Sequence, residues 1–218
     1  WDGSSQLAEG NKWAFFPSAA LGWRLDQEEF LKDVTWLNQL KFRLGVGVTG
    51  NSAIDPYQTK GAIVSLYYPF GATLAPGYAA SEPLIKDGAV AMANKDLSWE
   101  KTTQYNIGLD YSVLNGRISG VLDFYTSRTT DLLMAMTIPS LNGYTNTYAN
   151  VGKTSNIGVD ITLNTVNIKT RDFEWSTSIN AAWQKDKIDE LANGKEDDIN
   201  NNWFIGQALG VIYGYECG

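Results

Sequence analysis

The chain has 218 residues with 24 acidic and 17 basic side chains, a net charge of −7, and no clustering of Lys and Arg of the kind nucleic acid demands. Histidine is absent and Cys217 is the lone cysteine, which removes Ser-His and Cys-His chemistry, internal disulfides and cysteine-based metal clusters. Eight Trp and eleven Tyr in a chain only 44% hydrophobic, without an apolar run of about 18 residues, suit a surface that passes from lipid to water on strands rather than helices.

From the N-terminus, residues 13–25 alternate, with Trp13, Phe15, Pro17, Ala19, Leu21, Trp23 and Leu25 on one face. Asp26 is placed to cap a short helix over 27–33, with Glu28 and Glu29 near the positive end of its dipole. Alternation resumes at 40–49, where Leu40, Phe42, Leu44, Val46 and Val48 oppose Lys41, Arg43, Gly45, Gly47 and Thr49. Residues 50–97, rich in Gly, Pro and Tyr, read as a long loop. Tyr105, Ile107, Leu109, Tyr111 and Val113 then oppose Asn106, Gly108, Asp110 and Ser112. Asn115-Gly116 supplies the two positive φ angles of a type I′ turn. Beyond it, Ile118, Gly120, Leu122 and Phe124 oppose Ser119, Val121, Asp123 and Tyr125. Pairing about this turn sets Asp110 opposite Val121 and diagonal to Asp123. Leu132, Leu133, Met134 and Met136 prolong that strand before a second loop at 139–150. Ile157, Val159, Ile161 and Leu163 alternate with Asn156, Gly158, Asp160 and Thr162. A short link at 167–172 leads to Phe173, Trp175, Thr177, Ile179, Ala181 and Trp183, and an acidic, Asn-rich stretch follows at 186–202.

These runs reach about 10 residues, enough for a tilted strand to cross a bilayer, whereas soluble strands average nearer 5–6. The fold class expected is all-β, an antiparallel transmembrane β-barrel supplied with roughly eight to ten strands. Short turns at one end and long loops at the other match the outer-membrane asymmetry, setting Asn115 and Ile168 at the periplasmic rim and Tyr67, Tyr144 and Asp197 outside. Leu109, Ile118, Leu122, Val159, Ile161 and Ile179 are expected to face lipid, and Asp110, Ser119, Asp123, Asp160 and Asn180 the lumen. Trp13, Trp23, Trp99, Trp175 and Trp183 stand at strand ends, where interfacial indoles belong. The competing architecture is a soluble β-sandwich, whose strands alternate in the same way.

Three sets of residues are candidates for chemistry. Loop aromatics Tyr57, Tyr67, Tyr68, Phe70, Tyr78, Tyr144, Tyr148 and Trp203 can stack on sugar rings or grip a peptide, or simply pack the loops together. Glu196, Asp197 and Asp198 form a weak metal candidate, their spacing unlike an EF-hand loop, and solvated surface charge is the plainer account. Asp110, Asp123 and Asp160 are carboxylates of the kind glycosidases use, but a hydrated lumen does little to raise their pKa values, so they read as polar lining. Gly45-x-Gly47-x-x-Gly50 mimics a dinucleotide fingerprint without the helix that fingerprint requires. No catalytic residue and no cofactor is expected.

Several stretches resemble the SusC/RagA family of TonB-linked (TonB-dependent) outer-membrane proteins: DGSS at 2–5, FFPSAALGWRL at 15–25, WLNQLKFRLGVGVTGN at 36–51 and LSWEKTTQYNIGLDYSVLNGRISGVLDFY at 97–125. DLL at 131–133, NVGKTSNIGVDITLNTVNI at 150–168 and IGQALGVIYGY at 205–215 continue the match. The resemblance implies a barrel of about 22 strands, an N-terminal plug that contacts the TonB complex, a SusD-like surface lipoprotein lid, and import of an oligosaccharide or peptide across the cell outer membrane. Plug, TonB-contacting segment and closing strands are not in the sequence, so residues 1–218 are expected to be a partial barrel domain from a longer chain. A siderophore-type receptor and a carbohydrate-binding sandwich are the alternatives.

Overall fold

The computed structural model describes residues 1–56, 58–60, 62–82, 91–139, 141, 146–192 and 194–214. In chain order the strands are β1 (Asp2–Gly3), β2 (Trp13–Ala14), β3 (Ser18–Arg24), β4 (Leu37–Asn51), β5 (Ala62–Phe70), β6 (Thr73–Glu82) and β7 (Ala91–Met92). They continue as β8 (Glu100–Val113), β9 (Ile118–Thr130), β10 (Leu133–Thr137), β11 (Asn146–Asn150), β12 (Lys153–Lys169) and β13 (Glu174–Glu190).

Six of them form one sheet in the order β3-β4-β8-β9-β12-β13, antiparallel throughout. The alternation read in each strand is locked together by the register. One row across the sheet joins Leu21, Leu44, Ile107, Phe124, Val159 and Trp183. The next row, on the opposite face, joins Gly22, Arg43, Gly108, Asp123, Asp160 and Ala182. Ile179 is 54% exposed and Trp183 57%, so among the described residues no second layer covers the apolar face. A sandwich would bury that face; a barrel wall presents it to lipid. Among the described residues the sheet's outer strands, β3 and β13, carry no further neighbour in it.

The connections fall into two sets. Residues 25–36, 114–117 and 170–173 gather at one end, where Leu114 N–H donates to the Trp36 carbonyl at 2.7 Å and Val166 N–H to the Arg117 carbonyl at 2.7 Å. Asn115 and Gly116 have φ of 57° and 77°, and Arg117 N–H closes on the Leu114 carbonyl at 3.2 Å, the expected I′ geometry. Asp110 lies opposite Val121. At the other end the long connections are not bare loops. β5 and β6 form a hairpin, and β7, β10 and β11 form a small sheet. Leu7, Ile54, Leu97 and Trp99 are buried together there, with Phe16, Leu133 and Tyr148 packed against them.

Four sequence readings are corrected. Residues 13–25 are two strands, because Pro17 has no N–H to give the ladder; Trp13 and Ala14 pair with Gly3 and Asp2 instead. β10 is not a prolongation of β9: Asp131 adopts φ 57°, and the new strand joins β11 in another sheet. Trp99 is no interfacial indole but lies 8% exposed in the outer cluster, its ring edge-on to Phe16 at 5.2 Å. Trp23 is exposed and donates its indole N–H to Glu28 at 2.8 Å.

Fourth, residues 27–33 form no α-helix but contribute to two single 3₁₀ turns, Leu25–Gln27 and Glu29–Leu31. Asp26 does not cap either. Arg24 donates two bonds to its carboxylate, at 2.8 and 2.6 Å, and Leu40 N–H a third at 3.0 Å, so the side chain ties the connector to the start of β4. The Arg24 guanidinium holds the Asp26 carboxyl well below the usual carboxylate range. A depressed folded-state pKa stabilises above the unfolded value of about 3.9 and is lost as pH falls towards the folded one. Asp26→Asn is therefore expected to melt below wild type at pH 7, with the gap closing only below about pH 4. Thermal melts across that range in detergent check this; a gap unchanged at acid pH would remove the charge from the account.

Candidate functional site

The polar face of the wall holds one convergent cluster. Arg43 on β4 donates through Nε to Asp110 Oδ1 at 2.9 Å, and through a terminal nitrogen to both oxygens of Asp123 at 3.0 and 3.1 Å. Asp110 sits on β8 and Asp123 on β9, so one guanidinium fastens three strands. The reach depends on Gly108, which lies between Arg43 and Asp123 in the register. A Cβ there would stand 2.5 Å from the guanidinium carbon and 2.6 Å from an Asp123 oxygen. Asn106 adds a longer contact to Asp123 at 3.4 Å. Asp160 faces Asp123 across β9 and β12, exposed and without an ion-pair partner among the described residues. The two carboxylates serve as acceptors for one fork-shaped cation.

At the outer end a cleft of about 540 Å³ opens between β10 and residues 191–203. Met134, Ala135, Met136 and Leu191 line it with Trp203, Glu196, Asp197 and Asp198. Asp198 accepts from Asn201 N–H and from its side-chain amide at 3.2 and 2.7 Å, and Asp197 accepts from Ile205 N–H at 2.7 Å. Those bonds order the loop that carries Trp203, whose backbone pairs with that of Asp198 in both directions. Among the described residues no three acidic side chains gather as metal ligands would; both oxygens of Asp198 and one of Asp197 accept from the loop itself.

The other candidate aromatics that the structure describes belong to three different strands. Tyr67, Tyr68 and Phe70 lie on β5 and Tyr78 on β6, with Tyr67 opposite Pro76 and Tyr78 opposite Ser65 in backbone register. Tyr148 on β11 packs against the buried outer cluster, and Tyr57 and Tyr144 lie outside the described residues. Among the described residues, Trp203 is the one of these aromatics that lines the cleft. The sequence puts Asp110 and Asp123 on the polar face without joining them to Arg43. The signal was present, since Arg43 is a cation on the polar face of its strand.

Comparison with known proteins completes the picture. The family model described as "TonB dependent receptor-like, beta-barrel" matches residues 1–213. The chain belongs to that family. The barrel segment is 41% identical over 208 residues to the TonB-dependent receptor SusC of Bacteroides thetaiotaomicron, covering 91% of this chain and 19% of SusC. It is 34% identical to the TonB-dependent receptor P3 of Formosa agariphila over 99% of this chain and 22% of that protein. A solved structure of the RagAB peptide transporter superposes with a TM-score of 0.79 at 28% identity, over 95% of this chain and 22% of that one. These likenesses place the TonB-dependent receptor segment within the SusC/RagA group, and it spans about a fifth of the length of the relatives it matches.

Proposed function

We propose that the chain forms the wall and outer mouth of a SusC-like importer in the outer membrane, taking up an oligomeric glycan or peptide with energy delivered by TonB. The carrying observation is the pair of rows across the six-stranded sheet: one exposed and apolar, the other polar and knitted by Arg43. Such a wall needs lipid on one side and water on the other. β3 and β13 would pair with the remaining strands of the barrel, making residues 1–218 one contiguous part of it. A plug would fill the polar side and a SusD-like lipoprotein would cover the outer mouth, where the long connections gather. The protein would carry out no covalent chemistry and hold no cofactor.

The test is uptake in the parent bacterium by the full-length protein, with and without its TonB partner. Loss of growth on a polymeric nutrient in both the gene deletion and the TonB deletion supports the reading; wild-type growth in both overturns it. Within that assay Trp203→Ala is expected to weaken ligand binding roughly 2–10-fold, the worth of one aromatic contact, while the amount of folded barrel stays unchanged. Titration calorimetry with the imported oligomer checks the first figure, and heat-modifiable electrophoretic mobility the second.

A further inference from the structure

The turn between β8 and β9 is held from the neighbouring strand as well as from within. Leu114, Asn115 and Gly116 take φ of 56°, 57° and 77° in succession. Leucine disfavours that left-handed conformation, so the turn needs more than its own bond from Arg117 N–H to the Leu114 carbonyl. The start of β4 and the residue before it supply the rest. Leu114 N–H donates to the Trp36 carbonyl at 2.7 Å, and Gly116 N–H donates to the side-chain oxygen of Asn38 at 3.1 Å. Asn38 can reach because the β4–β8 register shifts between Leu37 and Gln39. It is the extra residue of a β-bulge, and a bulge re-aims the side chain it carries. Asn115 and Gly116 are both exposed, and a Cβ built on Gly116 would meet only open space.

An exposed Asn followed by Gly carries a reaction of its own. The Gly116 nitrogen bonds to Asn115 Cγ, the Cγ–Nδ2 bond breaks, and Nδ2 leaves as ammonia with the proton that the Gly116 nitrogen gives up. Water then opens the resulting succinimide at either carbonyl, leaving aspartate or isoaspartate at 115. Without a Cβ at 116 the approach is clear. The product matters to this fold. A carboxylate replaces an amide, and the isoaspartyl form adds a methylene to the main chain of the turn that sets the β8–β9 register. We propose that Asn115 is a site of spontaneous deamidation and that Asn38 is the residue that guards it. The bond to Asn38 keeps the proton on the Gly116 nitrogen, because losing it would set an anion against a carbonyl oxygen. The same bond fixes the 115–116 peptide plane and so resists the rotation that brings the nitrogen onto Cγ. The inference rests on the geometry of the turn and stands apart from the transport reading.

The chain has two further Asn-Gly pairs, Asn142-Gly143 and Asn193-Gly194, which serve as clocks within the same molecule. Full-length protein in detergent is kept warm at mildly alkaline pH. Peptide mapping by mass spectrometry then follows conversion at each pair, and isoaspartyl methyltransferase labelling counts the isoaspartate. Asn38→Ala is expected to speed conversion at Asn115 roughly fivefold, the worth of one hydrogen bond, with Asn142 and Asn193 converting at their wild-type rates. Asn38→Asp, whose carboxylate still accepts the N–H, should convert no faster than wild type. Heat-modifiable mobility shows whether each variant is folded. Should Asn38→Ala not fold, hydrogen exchange of wild type decides: the exposed Gly116 amide is expected to exchange on the order of tenfold more slowly than in the urea-unfolded chain, and exchange at the unfolded rate overturns the guard. So does a rate at Asn115 that Asn38→Ala leaves unchanged, or one that rises equally at all three pairs. No conversion at Asn115 in folded Asn38→Ala, over a period in which the unfolded chain converts there, overturns the site itself.

Discussion

Leu122→Arg is expected to destabilise the folded barrel by about 2–4 kcal/mol, the cost of a cation at the bilayer midplane, while Ser119→Arg is expected to cost far less. The two positions are three residues apart on β9, and the sheet turns them to opposite faces. Leu122 stands between Leu109 and Ile161, in an exposed patch with Ile107 and Phe124 that no other described residue covers. Ser119 stands between Ser112 and Asn164 on the face that carries Arg43 and Asp123. Water reaches an arginine there, and its side chain has polar neighbours. Reversible urea unfolding in lipid vesicles, with the full-length protein, measures both. Equal destabilisation would mean that the apolar row does not meet lipid.

The wall was legible in the sequence because each of its strands is long and alternates without interruption, and because every side chain changes face with a one-residue slip. Asn115-Gly116 fixed one register outright, so the pairing of Asp110 with Val121 followed by counting. Legibility failed where local pattern and tertiary demand disagree. Asp26 has the composition of a helix cap, yet Arg24 and the Leu40 amide offer its carboxylate three bonds, more than a cap site gives. Trp99 sits before β8 much as an interfacial Trp would, yet the outer connections fold back and bury it with Leu7 and Leu97. The strands β5, β6 and β11 hide in Gly- and Pro-containing stretches whose alternation is short and irregular, below what period-two reading detects. The role of Arg43 was missed for a different reason: it depends on a glycine two strands from Asp123's own neighbour β12, a relation visible only across three chain segments at once.

Arg43→Met is expected to destabilise the barrel by about 1–3 kcal/mol, the scale for charged groups left without a partner. Asp110 and Asp123 would then face each other and Asp160 across three strands, with their cation gone. The side chains of the triad are between a fifth and a third exposed, Arg43 at 30% and Asp123 at 22%, so lumen water softens the loss and the figure stays below that of a fully buried pair. The loss should be largely recovered by adding Asp110→Asn and Asp123→Asn, which removes the repulsion and leaves amides that can bond to each other and to Asn106. Gly108→Ala attacks the same tie from another side: its methyl would occupy the space the guanidinium crosses, and the Asp changes should not rescue the steric part of that damage. Urea unfolding of the four variants in vesicles separates these cases. Should Arg43→Met unfold at the wild-type midpoint, the guanidinium would be lining the lumen without fastening its strands. Should the added Asn changes deepen the loss, the two carboxylates would be contributing contacts of their own, and the account of Arg43 as the partner that makes them tolerable would fail.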